Sequence, residues 1–576
     1  MTLEQSRPWL SQYAPGVPAD IDSPDESLSD LLDTAVRRFP EHVALDFYGR
    51  ETTYRELGDL VARAAQALVD EGVVTGDRVA LVMPNCPQHV VAFYAVLRIG
   101  AVVVEHNPLY TAEELAHQLT DHGAVVAIAW DKVVPTIQQV ALESQVRTII
   151  AVDLTTALPR KQQWMLRLPV AKARTTRAAM TGPSDGALPW EKLVRRSMPL
   201  PADHPRPGPA DLALLQYTGG TTGVPKGAML THRNLRSNAA QGRAWVPGLK
   251  DGEEVVYAVL PLFHAYGLTL CLTFAMSIGA VLVLFPRFAV DQVLEAMERR
   301  PATFLPGVPP VYQALATAAV ERHADLRSIR FAISGAMSLP PAVVDQWEAV
   351  TGGFLVEGYG MTETSPVTVG NPVAATRRPG TVGVPFPSTY VRIVDPHDPT
   401  HDFGVEEPGE LLVRGPQVFS GYWGRPADTT AVLVEGGWIR TGDIAVMDED
   451  GFISIVDRIK ELIITGGFNV YPSEVEDALR RVPGVLDAAA VGLPHESGGE
   501  TVVAAVVAQQ GVVLDPEAVR TASREHLTGY KVPRKVFVLE ELPKSMVGKT
   551  LHREVRTQIV EQTRLEAARP EDPDGS

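Results

Sequence analysis

Apolar positions along the first hundred residues alternate between two spacings, and the alternation predicts a fold class. Thr53-Tyr54-Arg55-Glu56 has capping-box spacing, and Leu57, Leu60, Val61, Ala64 and Leu68 then recur at helical intervals up to Gly72. Arg78 to Met83 is a short apolar run, Gln88 to Ile99 is helical in pattern and ends at Gly100, and Ala101 to Val104 is apolar again. Strands and helices in turn predict a parallel sheet covered by helices. The rhythm returns from Gly279 to Arg300 and from Val343 through Leu355, so the large part of the chain is expected to be α/β with more than one wound sheet.

The most apolar stretch, Phe263 to Phe285, approaches the roughly 20 residues of a membrane span. Gly267 and Gly279 divide it instead into a buried helix, Leu268 to Ile278, and a strand-like run, Ala280 to Phe285, suited to a buried parallel sheet. After about Thr381, Gly, Pro and short runs such as Tyr390 to Val394 and Gly409 to Arg414 predict a β-rich, antiparallel or barrel-like subdomain over 381–457. Beyond Asp457-Arg458-Ile459-Lys460 the pattern changes once more. Ser473 to Glu476 repeats the capping-box spacing, strands are expected at Ala488 to Val491 and Thr501 to Ala508, and Asp515-Pro516 opens a further helix. The organisation expected is a large domain over 1–457, a hinge at 458–460, a small mobile α+β domain over 461–565 and a disordered polar tail over 566–576.

Composition narrows the function. A chain of 576 residues with 45% hydrophobic content has room for more than one core, and a net charge of −17 argues against nucleic acid as a partner. Cys86 and Cys271 are the only cysteines, which excludes a disulfide framework or Cys-based zinc site and suits a reducing compartment. The first residues lack the pattern of a secretory signal, so a cytoplasmic location is expected. One segment inverts the overall charge: Arg160 to Arg177 carries six basic residues and no acidic one, with Trp164, Met165, Leu166, Leu168 and Val170 interleaved. It reads either as a solvated loop broken by Pro169 or as a reversible contact with the inner membrane face.

The richest chemistry lies in Tyr217 to His232, YTGGTTGVPKGAMLTH. Glycines and threonines ahead of Lys226 allow backbone N–H and hydroxyl groups to converge on phosphate oxygens, and the lysine adds a point charge. The Walker pattern fails here, because Pro225 and Gly227 flank the lysine. Apolar Leu212 to Leu215 leads in, and Gly227 to Leu230 leads out before Thr231 can cap a helix, so strand, loop, strand is predicted. A Gly/Thr-rich hairpin without a ligand is the alternative on this segment alone.

Further motifs follow in order: Gly358-Tyr359-Gly360-Met361-Thr362-Glu363, Thr441-Gly442-Asp443, Asp457 to Lys460, and Gly548-Lys549. Together with the glycine-rich segment they resemble the adenylate-forming superfamily. LPLFH at Leu260 to His264, GWIRTGDIAVMDEDGF at Gly437 to Phe452 and GFNVYPSEVED at Gly467 to Asp477 are most similar to bacterial long-chain fatty acid–CoA ligases.

The resemblance implies two half-reactions: a fatty carboxylate attacks the α-phosphorus of ATP to give an acyl-adenylate and pyrophosphate, and the thiol of CoA then displaces AMP. It implies nucleotide contacts at Thr218, Gly219, Gly220, Thr221, Thr222, Gly223, Lys226, Gly335, Glu357, Gly358, Tyr359, Gly360, Thr362, Asp443, Arg458 and Lys549. Within that set Tyr359 would stack on adenine and Asp443 would accept from the ribose hydroxyls. Magnesium would be held by Glu363 with Thr218. Lys549 would be the main catalytic residue beside Lys226, Thr218 and Glu363, His264 would line the acyl site, Lys460 would be the hinge, and Gly466 and Gly467 would face CoA. Medium- to long-chain acids are the substrates implied, and a homodimer is compatible with the reading. The rivals are a ligase that loads a carrier protein and a non-catalytic nucleotide-binding homologue.

Overall fold

The computed structural model describes residues 7–22, 24–218, 225–465, 468–494, 500–545 and 548–567. It separates into two compact units, Met1–Val391 with Val413–Arg440 and Asp450–Phe452, and Arg392–Leu412 with Thr441–Glu449 and Ile453–Ser576.

The first unit contains two wound sheets. The seven-stranded sheet runs in the order Leu188–Pro189, Thr148–Val152, Val126–Trp130, Arg78–Val82, Val102–His106, Leu212–Thr218, Lys226–Thr231, parallel until the last strand turns antiparallel. Val79 to Val82 are completely buried, as strands covered on both faces require. The nine-stranded sheet has a parallel centre, Phe354–Gly360, Phe331–Ser334, Phe304–Gly307, Val255–Ala258, Val281–Leu284 and Val43–Phe47, with antiparallel strands at both edges. The α/β expectation holds.

Helix Tyr54–Asp70 starts at the foreseen capping box, with both reciprocal bonds between Thr53 and Glu56 formed. In the apolar stretch the helix begins earlier than expected, at Ala265, because the His264 side chain caps it, accepting from Tyr266 N–H at 3.3 Å. A π-type turn follows over Leu268–Thr273, then Phe274–Ser277 and the strand Val281–Leu284. No helix among the described residues is long and apolar enough to cross a membrane. Residues 160–177 form two short helices, Arg160–Met165 and Ala171–Met180, on either side of Pro169.

The β-rich stretch forms a five-stranded sheet. In the second unit, Ile453–Arg458 pairs antiparallel with the end of Trp438–Met447, Asp443 opposite Arg458. A three-stranded sheet, Val485–Pro494, Glu500–Ala508 and Lys535–Leu539, packs alternate residues to two faces: Ala504 and Val506 meet Val475 and Leu479, whereas Ala505 meets Phe537, Val555 and Ile559. The capping box expected at Ser473 and Glu476 does not form. Helix Pro472–Arg480 has Tyr471 at its N-cap, Ser473 donates to Val456 O at 2.7 Å, and Glu476 accepts from Ala490 N–H at 2.9 Å and pairs with His552 at 2.6 Å. Tertiary partners replace the local ones. Helix His552–Ala567 runs two residues into the segment expected to be tail, and 568–576 lie outside the described residues.

Candidate active site

The strands Leu212–Thr218 and Lys226–Thr231 pair antiparallel with Thr218 opposite Lys226, so the two expected strands form. Gly219, Gly220, Thr221, Thr222 and Gly223 lie outside the described residues. Lys226 Nζ lies 2.5 Å from Asp428 Oδ1 and 5.3 Å from the centroid of the Tyr422 ring. Tyr422 is held there because residues 420–423 run beside the second hairpin strand: Ser420 N–H donates to Met229 O at 3.0 Å, Met229 N–H to Gly421 O at 2.9 Å and Trp423 N–H to Gly227 O at 2.8 Å.

The Tyr422 hydroxyl donates to Glu363 Oε1 at 2.6 Å. Glu363 is buried in the short turn Thr362–Thr364, and its carbonyl accepts from Phe419 N–H at 2.8 Å. Burial, then the Glu363 charge, raises the Tyr422 phenol well above its usual range. Tyr217 is fixed in a similar way: its hydroxyl donates to Asp121 Oδ2 at 2.6 Å, and the Asp121 carbonyl accepts from Trp423 Nε1 at 3.3 Å.

Strand Phe354–Gly360 of the nine-stranded sheet carries Glu357, Gly358, Tyr359 and Gly360. Gly360 has a steric reason: a Cβ there would stand 1.9 Å from Pro366 O. At Gly335 a Cβ would meet the Tyr266 ring at 3.1 Å. Tyr359 is half-buried opposite Val369. Glu357 is buried, and burial pushes its carboxyl up to about 8, so it holds its proton at neutral pH. An apolar cleft lined by Trp245, Leu270, Phe274, Phe304 and Val356 reaches Glu357 and Gly358 but encloses only about 10 Å³. That is space for about one water. His264 is half-buried, with its imidazole lowered by burial.

The remaining candidates fall in the second unit. Asp443, buried, lies 3.1 Å from Arg458 Nε, and its N–H donates to Thr441 Oγ1 at 3.1 Å. Gly442 beside it has φ +73°, a conformation that favours glycine. Lys549 is half-buried, and its amine is pushed down to about 8, first by burial and then by Arg458, against the opposing charges of Glu461, Asp443 and Asp457. Lys460 is exposed in the turn after Arg458. Gly466 and Gly467 lie outside the described residues.

A buried carboxylate beside a lysine-bearing hairpin, and a separate group of lysine, arginine and aspartate, are the parts an enzyme needs to handle a polyphosphate and a ribose. The model of the AMP-binding enzyme family matches residues 32–423, and that of the AMP-binding enzyme C-terminal domain matches residues 474–549. The chain belongs to the AMP-binding enzyme family. It is 40% identical to a long-chain-fatty-acid–CoA ligase of Yersinia pestis over 97% of this chain and 99% of the relative. A long-chain-fatty-acid–CoA ligase of Bacillus subtilis is 38% identical over 96% of this chain and 98% of the relative. Among solved structures, ATP-bound MatB from Rhodopseudomonas palustris superposes with a TM-score of 0.80 at 30% identity, covering 92% of this chain and 98% of that one.

In this AMP-binding enzyme, sequence motifs did not reveal Asp121, Tyr422 or Asp428. Tyr422-Trp423 lies in a Gly-rich stretch that reads as loop, and Asp428 reads as an ordinary acidic residue in a first helical turn. Among the described residues no group of three or more His, Cys, Asp or Glu side chains is placed to hold a metal. A buried carboxylate such as Glu363 is a group that magnesium commonly takes, with substrate phosphates and water completing its shell.

Proposed function

We propose that this chain activates a medium- to long-chain fatty acid with ATP and transfers the acyl group to CoA. The carrying observation is the near-complete match to two long-chain-fatty-acid–CoA ligases in a chain that supplies a lysine lowered to about 8 beside an Asp443–Arg458 pair. In the first half-reaction a carboxylate oxygen attacks the α-phosphorus, the bond to the bridging oxygen breaks, and pyrophosphate leaves. Both partners are anions, so cationic groups lower the barrier to their approach. Lys226 and the adjoining loop would hold the outer phosphates, Asp443 the ribose, and Lys549 the α-phosphate and carboxylate. Glu363 and Thr218 would hold magnesium, which would neutralise phosphate charge. In the second half-reaction the CoA sulfur attacks the acyl carbon and AMP leaves.

Lys226 belongs to the first unit and Lys549 to the second, and each would lend its charge to the adenylation step. Motion about Lys460, which lies within the second unit, would bring first Lys549 and then the segment around Gly466 and Gly467 into play. The described cleft is too small for a fatty chain, so Trp245, Leu270 or Phe274 would shift on binding.

The test is purified protein with ATP, magnesium and a fatty-acid panel, with and without CoA. Acid-dependent pyrophosphate release is expected, with AMP and thioester appearing when CoA is added. Adenylate that never passes to CoA would favour a carrier-protein acceptor, and no acid-dependent release would overturn the reading. The same assay on Lys460→Pro separates a hinge, which slows thioester formation more than adenylation, from a residue without that role.

A second reading concerns location. Trp164 is 65% exposed and Val170 51% exposed among basic residues, which supports reversible contact of 160–177 with an anionic membrane face.

A further inference from the structure

Apart from the candidate active-site residues, the first unit holds a cavity of about 340 Å³ between helices Tyr54–Asp70, Pro87–Arg98 and Trp190–Arg196. Its volume equals that of about eleven liquid waters, and it falls within the range of small-molecule sites. Val91, Ala157, Trp190 and Val194 on its wall are all buried. Arg50, Asp59 and Arg195 are exposed and form its rim. The Asp59 charge is already matched by Arg63, Oδ2 to Nε 2.7 Å, which leaves Arg50 and Arg195 to set the sign of the rim.

The inner end is different in chemistry. Gln88 is only 7% exposed and donates through Nε2 to Thr156 Oγ1 and Glu191 Oε1, both at 3.1 Å. Its Oε1 has no hydrogen-bond partner and presents no surface to the cavity, so a guest reaches it only when the amide turns. An acceptor left in that state is unfavourable, and a donor from a guest molecule would offset it. Glu191, already accepting from Thr156 at 2.5 Å, adds a second acceptor at the same end. Cationic rim, apolar wall and buried acceptor together describe a ligand with an anion at one end and an N–H or O–H at the other.

We propose that this cavity is a second ligand site, taking a small amphiphilic anion whose charged head lies between Arg50 and Arg195 and whose far end donates to Gln88 Oε1. A carboxylate and a phosphate monoester share this chemistry. The site is independent of the ligase reading, since none of its residues is among the nucleotide or acyl candidates.

Calorimetric titration of the full chain with 12-hydroxydodecanoate and with 12-hydroxydodecyl phosphate tests it, with dodecanoate and dodecyl phosphate as controls that lack the donor. The two hydroxylated probes distinguish a carboxylate from a phosphate ligand, and the phosphate cannot be consumed as an acid substrate. At least one hydroxylated probe is expected to bind more tightly than its control. Arg195→Glu and Gln88→Leu are each expected to weaken that binding tenfold or more while acid-dependent pyrophosphate release persists. Arg195 lies at the rim, so its variant stays informative if Gln88→Leu is poorly folded. Equal binding by wild type and Arg195→Glu, no binding by either probe, or crystals soaked with the probes that show only water in the cavity would overturn the proposal.

Discussion

Lys226 Nζ and Asp428 Oδ1 lie 2.5 Å apart, so the lysine offered to the phosphates is already paired with a carboxylate. Both side chains are partly exposed, at 20% and 38%, and such a pair contributes at most about 1 kcal/mol. A polyphosphate, which carries more charge than one aspartate, would displace it at that modest cost.

Asp428→Asn removes the competitor and leaves the lysine. The KM for ATP is expected to fall up to about fivefold, the equivalent of ~1 kcal/mol, with the adenylation rate at saturating ATP little changed. Pyrophosphate exchange measures both. A higher KM would mean that Asp428 positions the lysine instead of competing for it.

Lys549 gives a pH prediction. Its amine is pushed down to about 8, so the free enzyme carries the cation at pH 7 and loses it as pH rises through 8. If the cation serves adenylation, kcat/KM for that half-reaction falls about tenfold per unit above this value. Lys549→Arg, which stays charged, is expected to be slower at pH 7 and flat to pH 9. Stopped-flow adenylation rates from pH 6.5 to 9.5 decide this.

Glu357 gives a prediction for stability. The folded state keeps its proton to about 8, whereas an unfolded chain releases it near the ordinary carboxyl value of 4.5. Between those values the folded state binds more protons, so stability falls as pH rises, by at most about 1.4 kcal/mol per unit. Glu357→Gln removes the titration, and its melting temperature is expected to gain on wild type steadily from pH 5 to pH 8. A constant difference across that window would show that Glu357 is not the group responsible.

The bond from Tyr422 to Glu363 reaches a buried carboxylate, and losing a donor to a charged group costs about 1.5–3 kcal/mol. Tyr422→Phe is expected to lower the first urea transition accordingly. In a Glu363→Ala background the same change is expected to cost much less, because the partner is gone. Equal costs in the two backgrounds would sink the coupling.

Exposed Trp164 and the basic residues around it predict salt-sensitive sedimentation with vesicles containing anionic lipid. Trp164→Ser with Arg167→Glu and Arg174→Glu is expected to abolish it without altering adenylation of a soluble short-chain acid. Binding that persists in the triple variant would place any membrane contact elsewhere.

Much of the fold could be read from spacing, because a wound sheet buries whole strands and leaves runs such as Val79 to Val82 that no helix period explains. The hairpin around the glycine-rich loop was legible for the same reason, with Thr231 marking where the second strand gives way to a helix. The reading failed at Ser473 and Glu476, where a local cap was expected and Val456, Ala490 and His552 took the side chains instead. Local spacing carries no information about partners from elsewhere in the chain.

The sequence alone determined the types of element, the order of the motifs and which residue types are available to meet phosphate, ribose and metal. These depend on periodicity and on chemical identity, both of which are properties of neighbours in the chain. Tertiary structure decided what state those residues are in: Lys226 paired with Asp428, Glu363 accepting from Tyr422, Glu357 protonated and Lys549 lowered to about 8. Charge state follows from burial and from groups tens to hundreds of residues away, and only the folded chain brings those groups within reach.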